Sequence, residues 1–203
     1  MKLLETRMAP NPRRVRIFLA EKGIQVPTEE LDLMKGELKT ESFTNLNKLQ
    51  KVPVLLLDDG TPICETMAIC RYFEELHPEP ALFGKGALGK ATVEMWQRRM
   101  ELGLMAAVTS AFRHLHPAMA NHEVPQVAAW GEANKPRALD MLRILDEQLA
   151  SNHYVAGDAY SVADITALVT MDFMKPARVQ RPEGLVNVER WYKEVAARPS
   201  AKA

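Results

Sequence analysis

A proline- and glycine-rich stretch, HPEPALFGKGALG at residues 77–89, separates two parts of the chain with different hydrophobic patterns. Before it, short apolar runs alternate with helical stretches, whereas after it apolar residues recur every three or four positions. Clusters of proline and glycine mark linkers, and the two kinds of pattern indicate strands with helices and helices alone. We therefore predict an α/β domain over residues 1–78 and an all-α helical bundle over residues 88–203.

The first part has the predicted order strand–helix–strand, followed by strand–strand–helix. VPVLLL at residues 52–57 is a continuous apolar run, typical of a strand that is covered on both faces, and the following DDGT is a hairpin signal. Because a strand–helix–strand unit makes a right-handed crossover, the first two strands should be parallel, with helices packed on the sheet. The pattern predicts strands at residues 2–5, 26–33, 52–57 and 61–64 and helices at residues 12–22 and 65–76.

The second part is predicted to be entirely helical. Pro136 lies inside the second of its helices and should kink or divide it. Ser161 and Asp164 have the spacing of a capping box, in which Asp164 reaches back to the N–H of Ser161, and Tyr160 and Ile165 occupy the two ends of a hydrophobic staple. The predicted helices cover residues 88–115, 125–150, 162–175 and 186–197.

Composition excludes several classes of function. Lysine plus arginine, 26, equals aspartate plus glutamate, 26, so we expect no nucleic-acid partner bound by bulk charge. The spacing of Cys64 and Cys70 fits neither a zinc site nor a redox pair, and we predict buried free thiols in a reducing compartment. His114 and His116 alone do not make a metal site, and we predict none. With no signal-peptide pattern and no membrane-length apolar run, we predict a soluble, cytoplasmic protein without a membrane partner.

The segment APNPRRVRIFLAEKG at residues 9–23 predicts a helix with a firmly fixed start. Asn11 is a favoured N-cap residue, Pro12 fits the first turn, and Gly23 should end the helix in the left-handed conformation. Ligands of open α/β sheets bind beyond the carboxyl ends of strands, where free N–H groups and the helix dipole favour an anion. The segment is therefore either a well-capped structural helix or an anion site. Its basic run, Arg13, Arg14 and Arg16, is expected to form a solvated face.

Two further segments support the interpretation of this region as a ligand site. Glu65 and Thr66 begin the next helix, where N–H groups and a hydroxyl suit a carboxylate and the acidic side chain suits an ammonium group. Without other evidence this pair is also typical of an ordinary helix cap. In Lys51–Val52–Pro53, the proline should lie at the start of a strand because it cannot donate a ladder hydrogen bond. A cis bond there would turn the N–H and C=O of Val52 towards a peptide ligand.

These elements, in this order, resemble the thioredoxin-like glutathione-binding domain of the cytosolic glutathione S-transferases. APNPRRVRIFLAEKG and KVPVLLLDDGTPICET carry the resemblance in the first part, and YSVADITA and RWYKEVAARPS carry it in the second. The resemblance implies a thioredoxin-like βαβ-ββα domain followed by an all-α domain, a cis bond before Pro53, a homodimer, and glutathione as the ligand. It further implies that the helical domain forms a pocket for the electrophile, where Met100, Leu104 and Met105 are candidates, although their spacing is equally typical of a core.

The resemblance also assigns binding roles to individual residues. Glu65 and Thr66 would bind the γ-glutamyl end of glutathione, and the backbone of Val52 would pair with the cysteinyl residue. Pro53 would have a structural role.

The glycine carboxylate of glutathione needs a cation or an amide. The resemblance points to Lys39, with Lys51 as a second cation in reach. Leu38 occupies a position where related sequences often carry histidine or glutamine.

The group that stabilises the glutathione sulfur is less obvious. Lowering a thiol pKa from about 8.5 by about two units requires about 2.7 kcal/mol of stabilisation. Ala9 stands where serine-type relatives carry their hydroxyl. We predict that Asn11 is the catalytic residue and donates a side-chain N–H to the sulfur, helped by the first-turn amides and the helix dipole. Stabilisation by the backbone alone is the alternative, and Thr6 is a fallback hydroxyl.

The predicted function is that of a glutathione transferase, which conjugates the thiolate of glutathione with a small hydrophobic electrophile. Glutathione would be a co-substrate, and no other cofactor is predicted. Two alternatives stay open at this point: a glutathione-dependent disulfide or peroxide reductase with the same site, and a non-catalytic binding or regulatory protein of the same fold.

Overall fold

The computed structural model describes residues 1–203 and divides into two compact units. The first unit comprises Met1–Ala81 together with Pro199–Ala203, and the second comprises Leu82–Arg198. The first unit combines a sheet with helices and the second is helical, so the predicted α/β plus all-α fold class is confirmed.

A four-stranded mixed sheet, in the order β2–β1–β3–β4, is the framework of the first unit. The parallel pairing of β1 with β2 confirms the predicted crossover, and β3 is antiparallel to both β1 and β4. The central strands β1 and β3 carry buried residues, whereas β2 is exposed at the edge. The strands are β1 Lys2–Glu5, β2 Thr28–Glu30, β3 Val54–Leu56 and β4 Pro62–Cys64.

Three strands are shorter than predicted, although β4 lacks only the first residue of the predicted 61–64. β2 has three residues rather than the predicted eight at 26–33. β3 begins two residues later than predicted, because Pro53 has no N–H with which to extend the ladder. Val52 and Pro53 consequently lie just outside the sheet.

The helices of the first unit are α1 Pro10–Glu21, α2 Glu41–Leu46 and α3 Thr66–Leu76, with a 3₁₀ turn at Glu37–Lys39. The sequence did not predict α2. The predicted cap of α1 was wrong: Ala9 is the N-cap, and Asn11 is the second helical residue. Proline is favoured at the first helical position because its φ is already helical, and here Pro10 takes that position. Gly23 has a φ of 66°, as predicted for the end of the helix.

The three arginines of α1 do not form the predicted solvated face. Arg14 is only 3% exposed. Arg16 forms an ion pair with the buried Glu5, and Arg13 donates from Nη2 to the carbonyl of Ala201 at 3.0 Å. Buried charges require partners: Arg13 and Arg16 fasten the start of α1 to the rest of the first unit, whereas Arg14 donates to Asn11 within the helix.

The 3₁₀ turn Pro199–Lys202 packs against α1. Ser200 and Ala201 are buried, and the Ser200 hydroxyl donates to the carboxylate of Glu21. Residues from beyond the helical unit thus complete the first unit.

All four helical regions predicted for the second part are confirmed, and the first is continuous over residues 86–115 with a π-helical middle. The expected division at Pro136 was wrong, because α6 runs unbroken through it. None of the helices combines the length and the apolar character needed to cross a membrane. The elements are α4 Gly86–Arg98, the π-helix Arg99–Met105, α5 Ala106–Leu115, α6 Ala128–Leu149, α7 Val162–Phe173 and α8 Val186–Ala196.

Helix α7 is the buried centre of the second unit, and Asp164 fixes its start. The Asp164 carboxylate accepts hydrogen bonds from Ser161 N at 2.9 Å, from Val155 N at 2.9 Å and from Trp191 Nε1 at 2.8 Å. The contact with Ser161 confirms the predicted capping box. Complete burial raises the pKa of Asp164 to about 6, although these donors act in the opposite direction.

Candidate functional site

The predicted site residues lie around one edge of the sheet. The strand register pairs Leu4 with Val54 and Val54 with Cys64, so β1 and β4 end where β3 begins. Because β2 is parallel to β1, it ends at the same edge. The segments that adjoin these strand ends carry Asn11, Lys39, Lys51, Val52, Pro53, Glu65 and Thr66.

The N-terminus of α1 offers a single free backbone donor. Pro10 and Pro12 have no N–H, and Arg13 N donates to the carbonyl of Ala9 at 3.4 Å. The remaining N–H of the first turn, that of Asn11, has no partner in the structure. The sequence analysis expected several first-turn N–H groups to be available to an anion, but only the N–H of Asn11 is.

The side chain of Asn11 has a fixed orientation. Arg14 Nη2 donates to Asn11 Oδ1 at 2.9 Å, which identifies the oxygen end of the amide, because a guanidinium group only donates. The NH₂ end of Asn11 is then the part that can donate to a ligand. The buried charge of Arg14 and the dipole of α1 both favour an anion beside this donor.

The other groups considered for the sulfur are occupied or unsuited. Thr6 Oγ1 donates to the carbonyl of Leu31 at 2.8 Å, so its proton is directed into the first unit. Cys64 is a half-buried free thiol, and Cys70 is fully buried. Burial, and to a lesser extent the charge of Glu65, raises the pKa of Cys64, so this thiol stays protonated at neutral pH.

The peptide bond between Val52 and Pro53 is cis, as the resemblance implied. A residue that the sequence analysis missed holds the segment before it: Asn47, which is 7% exposed. Its Nδ2 donates to the Lys51 carbonyl at 2.8 Å, and its Oδ1 accepts from Leu49 N at 3.0 Å. Asparagine is common in turns, so residue type gave only a weak signal, and the contact depends on how the loop folds back.

Glu65 and Thr66 lie at the start of α3, as predicted. Glu65 is its N-cap residue and is exposed, with a φ of 70°, while Thr66 is 4% exposed. A non-glycine residue with positive φ is strained, and such residues concentrate at functional sites. The backbone here therefore favours a site over an ordinary cap.

The two candidate cations are exposed side chains. Neither Lys39 nor Lys51 forms an ion pair within residues 1–203, so both are available to a carboxylate. Leu38, in contrast, is buried in an apolar cluster with Leu4 and Val54. Its side chain belongs to the core and not to the candidate site.

In the helical unit, Met100, Leu104 and Met105 are at most 5% exposed, which agrees with the core interpretation of their spacing. His114 and His116 each accept a backbone hydrogen bond through Nδ1, at 3.1 Å and 3.2 Å. No group of three or more His, Cys, Asp and Glu side chains within residues 1–203 is arranged to hold a metal ion.

The two units define a class of protein: a thioredoxin-like unit followed by a helical unit. Residues 9–76 match the family model for the N-terminal domain of glutathione S-transferase, and residues 96–199 match that for its C-terminal domain. The chain therefore belongs to the glutathione S-transferase family and is an enzyme of that class.

Individual relatives match over the whole chain. Glutathione S-transferase 2 of Saccharomyces cerevisiae is 38% identical over 205 residues, which cover 100% of this chain and 88% of the relative. The crystal structure of a glutathione S-transferase domain-containing protein from Marinobacter aquaeolei VT8 is 40% identical, with a TM-score of 0.95 and coverage of 98% and 99%. That of a Gtt2-class glutathione S-transferase from Vibrio parahaemolyticus is also 40% identical, with a TM-score of 0.87 and coverage of 100% and 96%.

Proposed function

We propose that the enzyme conjugates the thiolate of glutathione with a small hydrophobic electrophile, and that Asn11 stabilises the thiolate. The observation that carries this proposal is the first turn of α1, where Asn11 has both the one free backbone N–H and an oriented side-chain NH₂. Ala9, the N-cap residue, supplies no hydroxyl. The sulfur therefore meets amide donors where other classes have a hydroxyl or a thiol.

The magnitudes are compatible with this role. Hydrogen bonds to charged groups contribute about 1.5–3 kcal/mol. The helix dipole adds roughly 0.3–1 kcal/mol for an anion at the first turn. Together they reach the ~2.7 kcal/mol that a thiol pKa lowered by about two units requires.

The rest of glutathione would lie along the strand ends. Its γ-glutamyl carboxylate and amine bind Thr66 and Glu65, and its cysteinyl backbone pairs with Val52. Lys39 and Lys51, both exposed and outside any ion pair, bind the glycine carboxylate.

The test is the ionisation of bound glutathione, followed by thiolate absorbance in the ultraviolet during a pH titration. We expect a pKa well below that of free glutathione in the parent enzyme, and a value at least one unit higher in Asn11→Ala. Turnover of a chloronitrobenzene should fall at least tenfold in this variant, with glutathione affinity within twofold. Asn121→Ala, which alters an exposed asparagine of the helical unit, is the matched control.

Unchanged ionisation of bound glutathione in Asn11→Ala would reject Asn11 as the sulfur partner.

The same preparations distinguish the two alternative functions. Reduction of a small mixed disulfide in preference to the chloronitrobenzene would indicate a reductase, and no turnover of either substrate would contradict an enzymatic role. An enzyme-bound mixed disulfide is disfavoured, because the Cys64 thiol has a raised pKa.

We also propose that the chain forms a homodimer. Leu88, Met95 and Leu102 recur every seven residues along the continuous helical run and are 82%, 43% and 66% exposed. Large apolar side chains that recur on an exposed helix are typical of an interface.

A further inference from the structure

We propose that the turn Pro199–Lys202 is a positioning element for the sulfur of glutathione. Arg13, in the first turn of α1, donates from Nη2 to the carbonyl of Ala201 at 3.0 Å, across 188 positions of the sequence. This role rests on the proposed function, because the residue that the turn would position is Asn11, in the same helical turn as Arg13.

The first turn of α1 is held by few hydrogen bonds of its own. Ala9, the N-cap residue, makes no side-chain cap, and Pro10 and Pro12 have no N–H. Arg13 N donates to the Ala9 carbonyl at 3.4 Å, which is longer than the usual distance of about 2.7–3.2 Å. Since the backbone and the cap hold this turn weakly, its position depends on side-chain contacts with other elements.

Two contacts reach α1 from adjacent residues of Pro199–Lys202. The Ala201 carbonyl binds Arg13 in the first turn of α1, and the Ser200 hydroxyl donates to the carboxylate of Glu21 in the last. Arg13 and Glu21 are about two helical turns apart, which corresponds to roughly 12 Å along the helix axis. Because contacts from both ends of α1 converge on one short turn, they oppose movement of the helix along its axis.

The turn Pro199–Lys202 is itself well fixed. Ser200 and Ala201 are each 7% exposed, and Ala203 N donates to the Ser200 carbonyl at 3.0 Å. Terminal segments hold their neighbours only when they are tied down by burial and hydrogen bonds, and this segment has both.

A second anchor joins the same part of α1 to the sheet. Arg16 pairs with the buried Glu5 of β1 and donates from Nη2 to the Arg7 carbonyl at 3.0 Å. Asn11 precedes both anchors, so its donors move when either Arg13 or Arg16 is released. Hydrogen bonds weaken steeply as their angle falls, and a misplacement of about 1 Å can cost roughly 100-fold in rate. A displaced first turn should therefore raise the pKa of the bound thiol.

The test is the double variant Arg13→Lys/Ser200→Ala, which removes the guanidinium and the hydroxyl that join α1 to the turn. Lysine keeps the positive charge but is shorter and lacks the guanidinium fork, so a change at the sulfur would not follow from loss of charge. Lys202→Gln, at an exposed position of the same turn, is the matched control.

Thiolate absorbance measures the ionisation of bound glutathione, and kcat for a chloronitrobenzene is measured over a pH range that spans the ordinary thiol pKa of about 8.5. We expect the ionisation constant of the bound thiol to fall at least threefold in the double variant and to change less than 1.5-fold in the control. At neutral pH kcat should fall with it, while the dissociation constant of glutathione stays within twofold. Above the raised pKa kcat should return to within twofold of the parent, because the thiolate then forms without stabilisation.

An unchanged thiol pKa in the double variant, an equal change in Lys202→Gln, or a loss of kcat that persists at high pH would overturn the proposal. Arg13→Lys alone, with an expected fall of at least twofold in the ionisation constant, repeats the test if the double variant has a lower melting temperature.

Asn11→Ala separates a failure of this inference from a failure of the proposed function. If ionisation changes in Asn11→Ala but not in the double variant, only the positioning role fails. If it changes in the double variant but not in Asn11→Ala, the Asn11 side chain is rejected as the sulfur partner. The positioning role then stands, with the free backbone N–H of the first turn as the donor that is positioned.

Discussion

Asn47 shows how much of the candidate site depends on one buried amide. It binds the Lys51 carbonyl and the Leu49 N–H at once, and so fixes the loop that precedes Val52. It touches no proposed ligand atom itself and is a positioning residue.

We predict that Asn47→Ala lowers the free energy of unfolding by about 1–3 kcal/mol, because it removes two hydrogen bonds of a buried side chain, each worth about 0.5–1.5 kcal/mol. The affinity of Asn47→Ala for glutathione should also fall. Calorimetry at a temperature where the variant is folded measures this affinity. Asn47→Asp should keep the contact with Leu49 but lose that with Lys51, and should lose glutathione affinity as well. Asn45→Ala, at an exposed position in α2, should change stability by less than about 0.5 kcal/mol. Unaltered affinity in both Asn47 variants would exclude a positioning role.

Glu65 allows its charge and its backbone to be tested separately. We predict that Glu65→Ala weakens glutathione binding by at least about 1 kcal/mol, because it removes a charged partner. Glu65→Gly should lose the same affinity yet be at least as stable, since glycine adopts a φ of 70° without strain. Equilibrium dialysis and chemical denaturation measure the two quantities. A dissociation constant equal to that of the parent in both variants would remove Glu65 from the site.

Individual contacts were the least predictable level of the structure. A run of arginines is typical of a solvated face, yet two of those in α1 bind Glu5 and Ala201, which lie outside the helix. A sequence pattern reports which residues are charged but not which of them meet a buried partner. Asn47 was missed for the same reason.

At the scale of elements, the residues that signal the start or end of a helix predicted it correctly where one signal acted alone. They failed where two signals competed. Gly23 and the Ser161–Asp164 pair ended and began their helices as predicted. Both Pro10 and Pro12 lie in the first turn of α1, and Pro10 rather than Pro12 takes the first helical position. Pro136 removes one hydrogen bond, but four buried side chains follow it in α6, and their packing keeps the helix continuous.

The start of α7 gives a prediction about pH. The pKa of Asp164 is raised to about 6 in the folded state, against about 3.9 in an unfolded chain. A raised carboxyl pKa means that the folded state binds more protons between these values, so this group's contribution to stability is greatest below pH 4 and is lost as the pH rises through 6.

We therefore expect the stability difference between the parent and Asp164→Asn to change by up to about 3 kcal/mol between pH 4 and pH 6, to the disadvantage of the parent. Urea unfolding at several pH values, followed by tryptophan fluorescence, measures this difference. Asp140→Asn, at an exposed position on α6, is the control and should show no such slope. A pH-independent difference for Asp164→Asn would contradict the raised pKa.

At the scale of the whole molecule, the proposed homodimer makes a further prediction. Met95→Glu/Leu102→Glu places two charges at exposed apolar positions of the continuous helical run and should shift the protein from dimer to monomer in sedimentation velocity. Ile144→Glu, at a position of α6 that is as exposed as Met95, should not. A parent protein that sediments as a monomer would reject the proposal.

The sequence predicted the architecture better than the site. Apolar periodicity and the linker at residues 77–89 are properties of long segments, so the parallel pairing of the first two strands and the four helical regions of the second part followed from them. Sites depend on a few side chains at strand ends. The resemblance identified which segments meet there, but the direction of the Asn11 amide and the occupation of Thr6 depend on Arg14 and Leu31, which only the folded structure brings into contact.

The turn at Pro199–Lys202 has a consequence for how the protein matures on the ribosome. The sheet and α1 are translated first, but the buried pieces that cover α1, Ser200 and Ala201, emerge after the whole helical unit. Domains generally fold as they are made, so we expect the nascent first unit to keep part of α1 uncovered until those late residues leave the exit tunnel.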